Sequence, residues 1–105
     1  MAQNKYISIA KSHGFDLKKK LKENWCNGFD FSYKSCVITI FIFKLSYGIH
    51  VVNKASCLND DYALLNDLNI DKKVEFDTLI KFLKAYIDAK QKEIKAFVAL
   101  KTLSN

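Results

Sequence analysis

Arginine and proline do not occur in this 105-residue chain, and glycine and cysteine occur three times each. All 17 basic residues are therefore Lys, a usage that, with abundant Asn, Ile and Phe, fits an AT-rich genome. Arg grips phosphate, carboxylate and guanine edges through a planar fork, whereas Lys is a mobile, strongly hydrated point charge. Functions that depend on the fork are disfavoured. Gly14, Gly28 and Gly48 stand too far apart for a Gly-rich phosphate loop. Cys26, Cys36 and Cys57 are odd in number, and none forms with His13, His50 or another cysteine the two-to-five-residue ligand spacing of structural zinc. No metal or other cofactor is implied. The segment Met1 to Lys11 lacks the apolar stretch of a signal peptide, which with the odd cysteine count points to a reducing cytoplasm and reduced thiols. The longest apolar run, Cys36 to Phe43, is closed by Lys44 and falls far short of the roughly 20 residues of a membrane span. No membrane insertion is expected.

Half of the residues are hydrophobic and 13% aromatic, far from the composition of disordered chains. At this length one domain, residues 1–105, is expected, burying roughly two-thirds of the surface that the unfolded chain exposes. No repeat or Pro/Gly/Ser-rich linker divides it.

From Lys5 to Trp25, Tyr6, Ile9, His13, Leu17, Leu21 and Trp25 recur every three or four residues, the period of a helix, with Gly14 as an interruption. Gly28 follows as a stop, and Asp16 is a cap that would make the segment a helical hairpin. The period then changes to two: Phe29, Phe31 and Tyr33 alternate with Asp30, Ser32 and Lys34. Cys36 to Phe43 and Ile49 to Asn53 read as two further strands. Asn59, Asp60 and Asp61 are caps for a short helix over Tyr62 to Leu68, and Asp77 precedes an unbroken helical pattern from Thr78 to Leu103. The expectation is an α+β fold: an N-terminal helix or helical hairpin, a three-stranded antiparallel meander, a short helix and a long C-terminal helix of about 38 Å.

Residues 1–34 hold seven Lys and three acids (+4), residues 35–58 two Lys and no acid (+2), and residues 59–105 eight of each (0). The net charge of +6 thus belongs to the first part of the chain. Lys11, Lys18, Lys19, Lys20 and Lys22 form a nucleic-acid footprint or, more simply, a solvated helix face. Ile9, Ala10, Gly14, Phe15 and Asp16 resemble the turn region of a helix-turn-helix. That resemblance stops at Lys20, where the recognition helix needs an apolar residue. A nucleophile pair of Cys36 and His50 is disfavoured, because a turn near Ser46 sets His50 opposite Phe41 or Ile42. The carboxylates of Asp60, Asp61, Glu75 and Asp77 stand at expected helix starts, where capping accounts for them. No catalytic residue is expected, and the chain reads as no enzyme.

Apolar surface is the stronger pointer. If helices cover one face of the meander, either Val37, Phe41 and Phe43 or Ile38, Ile40 and Ile42 need another cover. Ile94, Phe97, Val98 and Leu100 lie on the last turns of a helix that outruns its domain, and large apolar patches on small proteins mark partner surfaces. The expectation is a non-catalytic protein-binding module, most concretely a small inhibitor or immunity-type protein that occludes another protein, with homodimerisation through the C-terminal helix as a further route. Nucleic-acid binding through the Lys-rich N-terminal segment is the alternative.

Overall fold

Alternating burial along five strands organises the molecule. The computed structural model describes residues 2–22, 26–54 and 62–104. Its elements are α1 (Ala2–Ser12), β1 (Asp16–Lys22), β2 (Asn27–Tyr33), β3 (Cys36–Ile42), β4 (Ser46–Asn53), β5 (Tyr62–Asp71), α2 (Phe76–Ala89) and α3 (Gln91–Ser104). The strands pair antiparallel in chain order, so one five-stranded sheet replaces the expected three-stranded meander. Phe29 and Phe31 of β2, Ile38 and Ile40 of β3, and Ile49 and Val51 of β4 are buried on one face. All three helices pack there, through residues that include Tyr6, Ala10, Phe76, Ile80, Ile87 and Ile94. Each such large side chain contributes about 1.5–3 kcal/mol of transfer free energy.

The first correction concerns residues 5–25, expected as helix. Gly14, at φ +88°, ends α1. The Gly14 N–H donates to the Lys11 carbonyl and the Phe15 N–H to the Ala10 carbonyl, both at 3.0 Å, the paired bonds of a Schellman cap. Phe15 and Ala10 are both fully buried, supplying the cap's apolar contact. The Ala-to-Gly spacing that resembled a helix-turn-helix is therefore a C-cap leading into a strand. Leu17 and Leu21 keep their helical spacing but lie opposite Phe31 and Gly28 of β2. A bulge between Leu17 and Lys19 turns them to opposite faces. Trp25, the last residue of the expected helix, lies outside the described residues.

The short helix over Tyr62 to Leu68 is β5 instead, and its expected caps Asn59, Asp60 and Asp61 lie outside the described residues. Leu65, Leu68 and Ile70 oppose Val51, Ile49 and Tyr47. Two register shifts accommodate the uneven spacing, and Asp67 adopts φ +50° between the first two of these leucine pairings. Tertiary pairing with β4 overrides a helix-like pattern.

The long C-terminal helix is broken at Lys90, whose N–H donates to the Tyr86 and Ile87 carbonyls. The Gln91 amide also donates to the Ile87 carbonyl, at 2.9 Å. The two helices are each about 21 Å long. Ile94 reaches the core instead of projecting from it. Glu75, not Asp77, occupies the N-cap position of α2.

The opposite sheet face carries no helix among the described residues. Asp30, Thr39 and His50 form a cross-strand row, with the Thr39 hydroxyl donating to the Asp30 carboxylate at 2.6 Å. His50 thus faces Thr39, not Phe41 or Ile42, because the turn of the β3–β4 hairpin is closed by a bond from the Phe43 N–H to the Ser46 carbonyl. The Phe43 ring lies across Gly48, where a Cβ would come within 2.8 Å of it.

The β2–β3 hairpin turns through Lys34 and Ser35, both at positive φ (47° and 65°), as a tight two-residue loop demands. Neither is Gly or Asn. Ser35→Gly should relieve this strain and stabilise the fold by about 1 kcal/mol, raising Tm by several degrees; thermal and denaturant melts check it. The neighbouring ion pair ties this hairpin to α2. The Lys34 ammonium and Tyr33 hydroxyl donate to Asp88 at 2.8 and 2.7 Å, and these bonds hold the Asp88 carboxyl below its ordinary range. A lowered folded-state value stabilises above the ordinary carboxylate pKa and ceases to do so as pH falls through the folded value. Asp88→Asn should therefore destabilise at pH 7, and the gap to the unsubstituted protein should close as pH falls below about 4. Urea melts across that range measure it.

Candidate functional site

The rows of α2 divide by chemistry. Phe76, Ile80, Leu83 and Ile87, spaced by three or four, are buried. Asp77, Lys81, Lys84 and Asp88 form a charged flank one residue further on. Its C-terminal part faces the β2–β3 hairpin, where Asp88 meets Tyr33 and Lys34 and the Lys84 ammonium sits 6.0 Å from the Tyr33 ring centre. Thr78, Phe82, Ala85 and Ala89 make the other flank, which carries no charge.

That uncharged flank looks toward β5, the sheet edge. Between them runs an open groove of about 560 Å³, lined by Leu65, Leu68 and Ile70 on the strand and by residues of α2 including Leu79, Phe82 and Tyr86. The Tyr86 hydroxyl donates to the Leu64 carbonyl at 3.2 Å and joins the two walls. Phe82 is 68% and Leu68 38% exposed. Solvent meets a continuous apolar surface here, the property of a recognition site. Asp67 of β5 lies outside this lining and borders the opposite sheet face, beside Phe41, Phe43 and His50.

The four residues first singled out on the C-terminal helix separate. Ile94 is 5% exposed and belongs to the core. Phe97 and Val98 are half-buried, Phe97 against Tyr62 at 4.8 Å between ring centres and Val98 against the core. Leu100 is 66% exposed. With Ala96, Ala99 and Leu103, which is 83% exposed, it forms a stripe on the opposite side of α3 from Ile94. Phe82 and Leu103 were missed, although their sequence signal exists: each is a large apolar residue off its helix's core-facing row.

The five lysines do not share one helix face. Lys11 lies in the last turn of α1, while Lys18, Lys19, Lys20 and Lys22 are exposed on β1. Lys19 stands opposite Asp30 on the open face, and Lys20 opposite the buried Phe29 on the helix-covered face. Elsewhere chemistry is sparse. Burial pushes the Cys36 thiol pKa up and keeps it protonated, its contact being the Asn53 amide at 3.8 Å. Cys26 is also buried, and Cys57 lies outside the described residues. Cys36 opposes Asn53, three positions along β4 from His50. His13 meets Asp77 at 2.8 Å, bridging α1 and α2 at the surface. Among the described residues no three His, Cys, Asp or Glu side chains form a metal-binding group, and no helix is long and apolar enough to cross a membrane.

The split on α3 has a direct measure. Ile94→Ala should cost about 2–5 kcal/mol of stability as a core truncation, whereas Leu100→Ala should change it by less than about 0.5 kcal/mol; denaturant melts distinguish them. Comparison with protein-family models, curated proteins and solved structures finds no match to this chain.

Proposed function

We propose that the chain is a non-catalytic protein-binding module, in its most concrete form a small inhibitor or immunity-type protein that covers a partner's surface. The observation that carries this reading is the groove between β5 and α2. It is apolar, open and walled by the uncharged flank of α2, and it leaves Phe82 two-thirds exposed where burial would be favourable. Exposed aromatic anchors in such settings dominate binding energy. The alternative, nucleic-acid binding by Lys11 and the lysines of β1, draws on the same basic excess that protects an edge strand from unwanted pairing.

The test is affinity capture of the tagged protein and of a Phe82→Asp variant from extract of the native cell, with and without nuclease. A protein species should be retained by the unsubstituted chain after nuclease digestion, and its recovery should fall at least about tenfold with the variant, as expected for loss of a binding hot spot. Equal recovery with both proteins overturns the groove as the binding surface. Release by nuclease favours nucleic acid instead.

A further inference from the structure

A second cavity, of about 380 Å³, lies at the start of α2 and shares no lining residue with the groove. Three separate parts of the chain wall it: Lys5 and Tyr6 of α1, Tyr47 of β4, and the turn from Lys72 into α2. The Val74 N–H donates to the Asp71 carbonyl and the Lys73 N–H to the Asp71 carboxylate, which fixes the turn. α2 begins without a side-chain cap, since Glu75 at its N-cap makes no capping bond. Its ladder opens with the Leu79 N–H donating to the Glu75 carbonyl at 3.0 Å. The N–H groups ahead of that bond carry the positive end of the helix dipole.

Tyr47 sets this helix start apart. It is only 4% exposed, with its ring centre 5.7 Å from that of Phe76 and 5.9 Å from the Lys72 ammonium. Yet its hydroxyl has no hydrogen-bond partner among the described residues. The hydroxyl is not sealed in the core either, so it meets the cavity that the residue lines. Burial, and then the Tyr6 phenol, push its pKa up, so at neutral pH it holds a proton to donate. A nearly buried donor without an acceptor is costly, and a ligand oxygen would remove that cost.

Charge around the cavity favours an anion. Lys5, Lys72 and Lys73 stand against Glu75 and Asp77, and Asp77 is already bound to His13 at 2.8 Å. Lys72 is held by the Phe43 carbonyl at 2.8 Å, whereas Lys5 and Lys73 are exposed and pair with no carboxylate among the described residues. Donors that converge from a helix, a strand and a turn suit a tetrahedral oxyanion better than a planar carboxylate. The volume is that of a small-molecule site, with Ile9, Val74 and Phe76 left to meet an apolar remainder.

We propose that this cavity binds the phosphate group of a small monoester, its oxygens accepting from the Tyr47 hydroxyl, the Lys5 and Lys73 ammoniums and the first N–H groups of α2. Lys is an established phosphate ligand as a point charge, and a helix start is a ready anion site. The site is separate from the groove and needs no protein partner.

Amide NMR titration with phenyl phosphate, inorganic phosphate and benzoate tests it, with circular dichroism to verify folding of each variant. Phenyl phosphate should shift the amides of residues 75–78 saturably and bind several-fold tighter than inorganic phosphate, and benzoate should not saturate. Tyr47→Phe, which keeps the ring, should weaken phenyl phosphate about tenfold, the loss of a hydrogen bond to a charged group. Lys73→Gln should also weaken it, and Glu75→Gln, which removes a like charge, should tighten it. No saturable shift, benzoate binding as well as phenyl phosphate, or affinity indifferent to both Tyr47→Phe and Lys73→Gln each overturns the proposal. Inorganic phosphate binding as tightly as phenyl phosphate overturns the monoester as its ligand.

Discussion

The fold depends on a sheet whose helices, among the described residues, all lie on one side. Phe29, Phe31, Ile38, Ile40, Ile49 and Val51 are buried on one face of β2 to β4. α1, α2 and α3 must all pack there to remove them from water. The chain breaks at Lys90, and Ile94 beyond the break is buried in that core. The exposed stripe of α3 follows from this packing. Once Ile94, Phe97 and Val98 turn inward, Leu100 and Leu103 stand exposed on the other side of the helix.

The three central strands lie where the alternation of Phe29, Phe31 and Tyr33, the Cys36 to Phe43 run and the Ile49 to Asn53 segment indicate strands, because a period of two marks the first and a β-branched run apolar on both faces marks the second. The two edge strands were not legible. Leu17 and Leu21 in β1, and Leu64, Leu65 and Leu68 in β5, have helical spacing, yet each set sits in a strand interrupted by bulges. A bulge adds a residue and shifts the phase of a strand, so a bulged strand imitates a helix in sequence. The helix break at Lys90 was equally hidden, since neither Gly nor Pro marks it. Of the candidate surface, the exposure of Leu100 was legible from its place late in a long pattern. The groove was not, because it exists only once β5 is a strand beside α2.

Electrostatics organises the same surfaces. On α2 the charged residues gather on one flank, where Asp88 is held by Lys34 and Tyr33 and Asp77 by His13. These contacts orient the helix about its axis. With that rotation set, Phe82 and Ala85 face the β5 side, and the groove acquires a wall free of charge. The bonds that fasten α2 to the β2–β3 hairpin therefore also determine what the groove presents.

A sheet with two edges invites addition of another strand at either one. β1 resists it, with Lys18, Lys19, Lys20 and Lys22 exposed and a bulge beside Leu17. β5 resists it differently: Asp67 at φ +50° and two register shifts interrupt the regular row of backbone groups that an incoming strand requires. What β5 offers is side chains, Leu65, Leu68 and Ile70, beneath the overhang of Phe82. A surface that recognises through side chains and presents an irregular backbone favours a helix over a strand as its occupant, because a helix satisfies its own hydrogen bonds and brings only its apolar row to the contact.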